Sequence, residues 1–318
     1  MHAFILAGGF ATRLWPLTEH RAKPLLPVAG KPLLSHIVEK IPAGIPVTVS
    51  TNAAFGEDMK RWSETIGRRD LTVRVEQTKN DDEKLGTLGA TAQWIEAENI
   101  KDDILLLTGD NWFGFNMNTF IDQYDGITLV AAYDIGDQAK ASAFGTIITG
   151  ADGNAVTAFE EKPTEPKTSL VSTGASILPA SVIPDLLAFA KIKPDNVGGI
   201  FEELLRLQRP VHCFRFHEPW FDIGSFETYL EATRNIVGDA LFTGPDTTVQ
   251  DCTRTGSVVV GKGSTLTKCV LEDTVIFENC VIEDCVLRDC VIDDGCVLKG
   301  IDLTGKMLRA GTQLVRDI

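Results

Sequence analysis

Short apolar runs alternate with segments of helical periodicity over the first 240 residues of the chain. Apolar or β-branched runs occur at residues 3–7, 47–50, 71–76, 104–107 and 128–132. Each run is short enough to be a buried strand, and helically spaced stretches such as 55–66 and 87–98 lie between them. Later helices are predicted at 180–190, 201–207 and 226–236. The alternation predicts an α/β domain over residues 1–240, with a mainly parallel sheet and helices on both of its faces.

The pattern changes at about residue 245, where aliphatic residues recur in steps of five or six. They are Leu266, Leu271, Ile276, Ile282, Leu287, Ile292 and Leu298. A compact residue, often cysteine, stands two positions before each of them, and acidic residues and glycines fill the remaining positions. Such a short-period repeat predicts a β-helix with aliphatic side chains stacked inside, in about four coils. We therefore assign residues 241–318 to a second domain, with a plain antiparallel sandwich as the alternative.

Composition narrows the class of protein. Of the 318 residues, 44% are hydrophobic and 23% charged, which is ordinary for a soluble globular protein. No apolar run approaches the roughly 20 residues of a membrane span, and the first residues lack the basic region of a signal peptide. A cytoplasmic location is therefore expected. The net charge of −14 argues against nucleic acid or an acidic membrane as a partner.

The cysteines are concentrated in the predicted β-helix. Six of the seven follow residue 250, namely Cys252, Cys269, Cys280, Cys285, Cys290 and Cys296. In a cytosolic chain such residues are usually small buried hydrophobes, and their spacing lacks the close pairs of a zinc site. We expect them to line the interior of the β-helix beside the aliphatic ladder.

The strand predicted at residues 3–7 ends abruptly at Gly8-Gly9. A basic residue, Arg13, follows, and a second one, Lys23, stands directly before a proline. Open α/β sheets bind ligands at the carboxyl ends of their strands, where glycines let the backbone approach a phosphate. Arg13 and Lys23 supply the positive charge that a polyphosphate needs. The spacing fits neither a Walker A loop nor a dinucleotide-binding motif.

Taken whole, residues 4–33, FILAGGFATRLWPLTEHRAKPLLPVAGKPLL, closely resemble the signature of the sugar-1-phosphate nucleotidylyltransferases, or NDP-sugar pyrophosphorylases. The resemblance implies a Rossmann-like nucleotidyltransferase domain with a mixed, mainly parallel sheet. The repeat after residue 240 resembles the left-handed hexapeptide β-helix, although several of its steps are five residues long. The family signature also implies that the nucleotide is bound at Leu6, Ala7, Gly8 and Gly9.

A second glycine turn resembles another nucleotide-binding segment of this family. Residues 83–90, EKLGTLGA, are similar to its L-G-T-A-G motif, with Leu88 in place of the common alanine. The resemblance implies nucleotide contacts at Gly86 and Thr87. Gln77 is similar to the residue that reads the base edge in thymidylyl and uridylyl enzymes, although a polar residue at a strand end is equally well explained without a ligand.

Two acidic residues are candidates for binding a metal ion. Asp110 ends the apolar run at 104–107, where an acid can hold Mg²⁺ together with phosphate oxygens. Asp222 lies in a W-x-D-I-G motif, and the resemblance implies that both aspartates share Mg²⁺. The alternative for Asp110 is a turn or a helix cap, and that for Asp222 is the N-cap of the helix that begins near residue 225.

The remaining family motifs concern the sugar phosphate. Residues 161–163 match an E-K-P motif, which implies that Lys162 binds the phosphate and Glu161 a sugar hydroxyl. The resemblance also implies sugar contacts at Gly145 and at Ser172 and Gly174, where the family often has N-x-G. A strand-end lysine before a proline is a suitable point charge for a phosphate monoester.

The resemblance implies transfer of a nucleotidyl group from a nucleoside triphosphate to a sugar 1-phosphate, with release of pyrophosphate. Arg13, Lys23 and Lys162 are the expected catalytic cations, and glucose 1-phosphate with dTTP or UTP is the favoured substrate pair. Mannose-1-phosphate guanylyltransferase is one alternative. A β-helix acyltransferase and a non-catalytic regulatory homologue are the others, although residues after 240 contain no histidine to serve an acyltransferase. A homo-oligomer is expected, with the β-helix as the candidate interface.

Overall fold

The computed structural model describes residues 1–9, 12–77 and 85–316. Part of the first glycine loop and the start of the 83–90 motif therefore lie outside the described residues. The chain forms two compact units, the first from residues 1–9 and 37–220 and the second from residues 10–36 and 221–318. These units are defined by packing, so the predicted boundary at residue 240 between sequence domains stays a prediction.

The described residues form a long series of strands and seven α-helices. The strands are β1 (His2–Leu6), β2 (Pro27–Val28), β3 (Lys31–Pro32), β4 (Val47–Asn52), β5 (Leu71–Glu76), β6 (Ile104–Thr108), β7 (Asn111–Phe113), β8 (Thr128–Asp134), β9 (Gly145–Thr149), β10 (Val156–Glu161), β11 (Leu170–Leu178), β12 (Val211–Phe216), β13 (Trp220–Asp222), β14 (Leu241–Thr243), β15 (Thr248–Gln250), β16 (Thr253–Val260), β17 (Thr265–Thr267), β18 (Val270–Ile276), β19 (Val281–Glu283), β20 (Val286–Arg288), β21 (Val291–Ile292), β22 (Val297–Lys299), β23 (Asp302–Thr304), β24 (Met307–Leu308) and β25 (Gln313–Val315). The helices are α1 (Leu33–Lys40), α2 (Gly56–Ile66), α3 (Thr87–Glu98), α4 (Met117–Asp122), α5 (Ile183–Ala190), α6 (Gly199–Arg206) and α7 (Phe226–Val237). None of the described helices is long and apolar enough to cross a membrane.

The first unit is built on a mixed sheet whose central strands are parallel. Strand β1 pairs in parallel with β4 on one side and with β6 on the other, and β5 continues the parallel order beyond β4. Strand β11 is antiparallel to β6, β8 and β9. The predicted α/β sheet is thus confirmed, and its parallel centre directs the carboxyl ends of β1, β4, β5 and β6 to one edge.

Helix α3 covers this sheet with a large aromatic side chain. Trp94 is fully buried, and its ring stacks on that of Phe4 with 4.4 Å between centroids and 14° between planes. Removing an aromatic side chain from such a position typically costs about 3–5 kcal/mol. The contact fixes α3, and with it the glycine turn before the helix, against the central strand.

The second unit contains the predicted β-helix. The strand pairs among β14 to β25 all run parallel. Thr265 pairs with Val281, and Val281 with Val297, so that one coil takes 16 residues. The interior is closed by the predicted aliphatic ladder, whose seven members from Leu266 to Leu298 are all buried. The β-helix prediction is confirmed, and the antiparallel sandwich is wrong.

The cysteines lie where the repeat predicts them. Five of them, Cys269, Cys280, Cys285, Cys290 and Cys296, are buried and unbonded, while Cys252 is half-buried. Burial raises the pKa of the Cys269 thiol to about 12, and it likewise raises the pKa of Cys285. These side chains are therefore compact apolar fillers rather than thiolates.

One outer face of the β-helix is covered by the rest of the second unit. Val259, Val275 and Val291 point outward between interior positions, yet each is nearly or fully buried. Helix α7 packs against β16 and β18 on this face, and the Tyr229 hydroxyl of α7 donates a hydrogen bond to the carbonyl of Pro27. Residues 12–36 are therefore held by α7 within the same unit as the coils.

Candidate active site

The end of β1 presents backbone rather than side chains. Ala7 is buried and its N–H donates to the carbonyl of Ser50, whereas Gly8 is half-buried and Gly9 exposed. A Cβ built on Gly9 would meet no atom of the described chain within 4 Å. The backbone at Gly8 and Gly9 is therefore approachable from solvent, as a phosphate or nucleoside site requires.

A buried carboxylate lies beside this loop. The sequence did not predict a role for it. Glu76, at the end of β5, accepts a hydrogen bond of 2.7 Å from the Ser50 hydroxyl. Its Oε1 would be 3.5 Å from a Cβ on Gly8. Burial raises the pKa of Glu76, although Ser50 and Arg74 act in the opposite direction. The neighbouring Gln77 is exposed, as expected for the next position of a strand.

Asp110 is held in place by hydrogen bonds of the Asn111 side chain, which the sequence did not predict. The Asn111 amide donates to Asp110 Oδ1 at 2.9 Å and to the Thr108 hydroxyl at 2.7 Å. Its own oxygen accepts a hydrogen bond of 2.8 Å from the Trp220 indole. Because Asn111 is 5% exposed and fully engaged, it fixes the rotamer of Asp110 at the end of β6.

The E-K-P motif places Glu161 in a space kept open by two glycines. A Cβ on Gly145 would lie 2.8 Å from Glu161 Oε2, and one on Gly198 only 1.8 Å from it. The Glu161 backbone N–H donates to Glu202 at 2.7 Å. Burial raises the pKa of Glu161, Lys162 lowers it, and Glu202 raises it further.

Lys162 has a left-handed backbone with φ of 47°. This conformation costs a non-glycine residue roughly 1–2 kcal/mol, and such outliers are concentrated at functional sites. The Lys162 N–H donates to the carbonyl of Phe144, which fixes the turn before Pro163. The direction of the lysine at the end of β10 is thus set by the backbone.

Strand β11 carries the last two sugar-site candidates. Its register against β8 shifts between Ser172 and Ser176, and Gly174 within the shift has φ of 79°. A Cβ on Gly174 would lie 2.2 Å from the Thr108 hydroxyl. Glycine is therefore required where the strand crosses the end of β6, and Ser172 lies half-buried just before this point.

The second unit brings together three candidates from two distant motifs. Lys23 is nearly buried, and its Nζ lies 3.8 Å from Asp222 Oδ1. A Cβ on Gly224 would be 3.3 Å from Arg13 Nη2 and 3.6 Å from Asp222 Oδ1, so glycine leaves room for both side chains. Helix α7 is capped by Ser225, which forms a capping box with Thr228. The alternative role of Asp222 as the N-cap is therefore wrong.

The donor chemistry is compatible with Mg²⁺. Among the described residues, no group of three or more His, Cys, Asp or Glu side chains could hold a metal ion. Mg²⁺ is usually bound by one or two carboxylates, with water and substrate phosphates as its other ligands. Asp110 and Asp222 are carboxylates of this kind, each already oriented by a neighbour within its own unit.

Comparison with known proteins agrees with these motifs. A family model described as nucleotidyl transferase matches residues 2–238. The chain belongs to this nucleotidyl transferase family. It is 30% identical over 259 residues to the glucose-1-phosphate adenylyltransferase of Thermotoga maritima, covering 74% of this chain and 60% of the relative. It is 28% identical over 271 residues to the bifunctional protein GlmU of Methanococcus maripaludis, covering 83% and 61%.

A solved structure extends the likeness to the fold. A Bacillus anthracis protein, described provisionally as a glucose-1-phosphate thymidylyltransferase, superposes with a TM-score of 0.63 at 22% identity. The match covers 73% of this chain and 94% of that one. The chain spans about 60% of the length of the adenylyltransferases it matches.

The candidate residues of this chain are divided between the two units. Arg13, Lys23 and Asp222 belong to the second unit. The first unit contains the others: Leu6, Ala7, Gly8, Gly9, Gln77, Gly86, Thr87, Asp110, Gly145, Glu161, Lys162, Ser172 and Gly174. Their roles in binding and catalysis stay predictions.

Gly86 precedes α3 in a conformation that only glycine adopts without strain. Its φ is 75°, and an added Cβ would lie 2.4 Å from the carbonyl oxygen of Pro194. That carbonyl accepts hydrogen bonds from the N–H groups of Leu88 and Gly89, at 2.8 and 3.0 Å. The first turn of α3 is therefore fixed against residue 194, which explains why the predicted glycine turn has this sequence.

Replacing Gly86 by alanine should destabilise the protein far more than the same change at Gly67. Gly67 has a similar φ of 67°, but a Cβ there would meet nothing in the described residues within 4 Å. Gly67→Ala should therefore cost only about 1–2 kcal/mol of backbone strain, whereas Gly86→Ala adds a backbone clash and should lose about 3 kcal/mol or more. Urea unfolding of both variants measures the difference, and equal losses would contradict the packing described here.

Proposed function

We propose that this chain transfers a nucleotidyl group from a nucleoside triphosphate to a sugar 1-phosphate and releases pyrophosphate. The observation that carries the proposal is the assembly of Arg13, Lys23 and Asp222 within one unit, from motifs some 200 residues apart. Two cations beside an acid suit a metal-bound polyphosphate. Membership of the nucleotidyl transferase family supports the same reaction.

The reaction needs no strong base. A phosphate oxygen of the sugar 1-phosphate attacks the α-phosphorus, and the bond from that phosphorus to the bridging oxygen breaks as pyrophosphate leaves. Because the attacking oxygen is already ionised at neutral pH, the protein contributes position and charge. Arg13 stabilises the leaving pyrophosphate, Lys23 the transferred phosphate, and Lys162 places the nucleophile.

Mg²⁺ is the proposed cofactor, with Asp110 and Asp222 as its protein ligands. When bound, the ion neutralises phosphate charge and polarises the reacting group. Asn111 keeps Asp110 in one orientation through its 2.9 Å hydrogen bond. Lys23 does the same for Asp222 at 3.8 Å and limits the negative charge that the free protein must hold there.

The remaining candidate residues are assigned either to the nucleotide or to the sugar phosphate. We assign the nucleotide to the backbone at Leu6–Gly9, to the turn at Gly86 and Thr87, and its base to Gln77. The sugar phosphate falls to Gly145, Glu161, Lys162, Ser172 and Gly174. The absence of side chains at Gly145 and Gly198 leaves room for the Glu161 carboxylate, whose oxygens can accept a hydrogen bond from a sugar hydroxyl.

Glucose 1-phosphate with dTTP or UTP is the proposed substrate pair. Glucose 1-phosphate is supported by the names of the adenylyltransferase relatives, and the pyrimidine base by Gln77 at the strand end. A mannose-1-phosphate guanylyltransferase is the second candidate, since a relative from Sulfolobus acidocaldarius carries a provisional name of that kind at 25% identity. We further propose a cytoplasmic homo-oligomer, supported by the exposed Val270 and Val281 on the β-helix.

A substrate matrix tests the proposal. Purified protein is incubated with Mg²⁺, each of ATP, GTP, CTP, UTP and dTTP, and each of several sugar 1-phosphates, and released pyrophosphate is measured. We expect the highest kcat/KM with glucose 1-phosphate and dTTP or UTP. Highest turnover with mannose 1-phosphate and GTP would select the second candidate, and no pyrophosphate from any pair would remove the transferase function.

A further inference from the structure

The segment that contains Arg13 and Lys23 contacts the β-helix through Arg21, a residue to which no family motif assigns a role. We call residues 12–32 the signature segment. Arg21, within it, donates from Nη1 to Asp293 Oδ1 at 3.1 Å and from Nη2 to Asp294. The two aspartates lie 272 and 273 positions further along the chain, directly after β21. All of these residues belong to the second unit.

The two aspartates that contact Arg21 are also held by hydrogen bonds from backbone N–H groups. Asp293 Oδ1 also accepts a hydrogen bond from the N–H of Asp294 at 2.8 Å. Asp294 Oδ1 accepts one from the N–H of Glu278 at 2.9 Å, which ties it to the preceding coil. The carboxylates therefore form a rigid receptor whose position is set by the β-helix backbone.

The contact of Arg21 with Asp293 is largely withdrawn from water, whereas the Asp294 side chain is 39% exposed. The Arg21 side chain is 24% exposed and that of Asp293 only 6%, and the guanidinium carbon lies 5.1 Å from the centre of the Phe277 ring. Burial lowers the pKa of Arg21, but Asp294 and Asp293 together outweigh it and raise the pKa, so this arginine is charged at all working pH values. Because the pair is screened less than a surface pair, its loss is felt more strongly.

A second ion pair supports the same segment. Arg309, after β24, contacts Glu19 with Nε at 2.6 Å from Oε2 and Nη2 at 2.7 Å from Oε1. This bidentate pair is more exposed than that of Arg21, and its contribution is correspondingly smaller. Both contacts bind the stretch between Arg13 and Lys23 to successive coils.

We propose that Arg21 is a positioning residue for nucleotidyl transfer, because its fork on Asp293 and Asp294 makes the β-helix part of the frame that holds Arg13 and Lys23. Lys23 lies only two residues from Arg21, so a shift of Arg21 is carried along the backbone to its ammonium group. Displacing a substrate-positioning group by about 1 Å can cost ~10²-fold in rate. The inference rests on the proposed function, and it gives the β-helix a part in catalysis without any contact to substrate.

The chain offers a matched control for this arginine. Arg234 on α7 makes the same kind of fork on two β-helix aspartates, with Nε 3.0 Å from Asp273 and Nη2 donating to Asp289. It belongs to α7 and not to the signature segment. Arg234→Gln therefore removes another arginine that contacts two aspartates of the same β-helix, while leaving the contacts of Arg21 intact.

The test compares Arg21→Gln, Arg21→Lys, the double variant Asp293→Asn/Asp294→Asn, and Arg234→Gln. Arg21→Gln and the double aspartate variant should each lower kcat/KM about tenfold or more, which corresponds to ~1.4 kcal/mol. KM for the nucleoside triphosphate should rise, and amide hydrogen exchange should increase over residues 12–32 but not in α3. Arg21→Lys should be intermediate, since an ammonium cannot span both carboxylates. Because α7 also contacts residues 12–36 through Tyr229, Arg234→Gln can alter the kinetics and this exchange slightly, but it should do so far less than Arg21→Gln.

Combining Arg21→Gln with the two aspartate changes should cost no more than either alone, because all act through one contact. Loss of activity in Arg21→Gln with normal kinetics in the aspartate variant would overturn the proposal, since Arg21 would then act without the β-helix. Normal kinetics in both, or equal losses in Arg234→Gln, would overturn it too. If the wild-type chain transfers no nucleotidyl group, the proposed function fails, whereas hydrogen exchange still decides whether Arg21 holds the segment.

Discussion

Arg13→Ala is expected to lower kcat by about 10²–10³-fold, the range found when one preorganised donor to a developing negative charge is removed. Arg13 is exposed and lies against Gly224, whose lack of a side chain leaves room for it beside Asp222. It is therefore placed to meet a ligand rather than to support the core. Thermal unfolding should stay near that of the wild type, because little apolar surface is lost. Steady-state pyrophosphate release, with a melting curve for each protein, measures both effects.

Arg206→Ala provides the control for Arg13. Arg206 is also exposed, and its guanidinium is engaged by Glu203 one turn earlier on α6. Such a fully exposed pair adds little to stability because water and salt screen it, so this variant should keep both its activity and its melting temperature. Near-normal turnover in Arg13→Ala, or an equal loss in Arg206→Ala, would remove Arg13 from the proposed site.

Asp222→Asn and Asp110→Asn are each expected to lower kcat by about 10²-fold or more and to raise the Mg²⁺ concentration needed for half-maximal rate. Asparagine keeps the shape of the side chain but loses the charge that binds the metal ion. At position 222 it also leaves the nearly buried Lys23 without its carboxylate at 3.8 Å. The measurement is pyrophosphate release over a Mg²⁺ titration for each variant.

If both aspartates serve one metal ion, the double variant should be little worse than either single variant, because groups that act as a unit are strongly non-additive. Asp58→Asn is the control, since Asp58 pairs with Arg61 on the surface of α2. A wild-type Mg²⁺ dependence in both single variants would refute the assignment of these carboxylates to the metal.

Local patterns specified the central strands and five of the seven described α-helices, because these elements depend on neighbours in the sequence. Helix α3 was predicted at 87–98 and is observed there, since Gly86 before it and Asn99 after it both have positive φ and end the helical run. Helix α5 begins at Ile183 instead of residue 180, because Pro184 is tolerated only in the first turn and the residues before it form a 3-10 helix.

The sequence motifs predicted some residues of the candidate site and gave no sign of others. Motif residues such as Lys23 and Asp222 carry their own signal, and the structure brings these two together. Asn111, Glu76 and Arg21 carried none, because an amide, a strand-end acid and a loop arginine are common in any sequence. Their importance depends on what lies opposite them: the Trp220 indole for Asn111, the Ser50 hydroxyl for Glu76 and the Asp293 carboxylate for Arg21.

The sequence by itself determined the alternation of strands and helices in the first 240 residues, the short-period repeat with its cysteine-lined interior and the family signature, because each is written in short-range periodicity or in a fixed string of residues. Only the tertiary structure decided that residues 10–36 belong to the unit of the β-helix and that Ser225 rather than Asp222 caps α7. It alone also showed that Arg21 meets two aspartates more than 270 positions away. Such contacts arise from packing between surfaces, and no local pattern encodes which buried charge will face which.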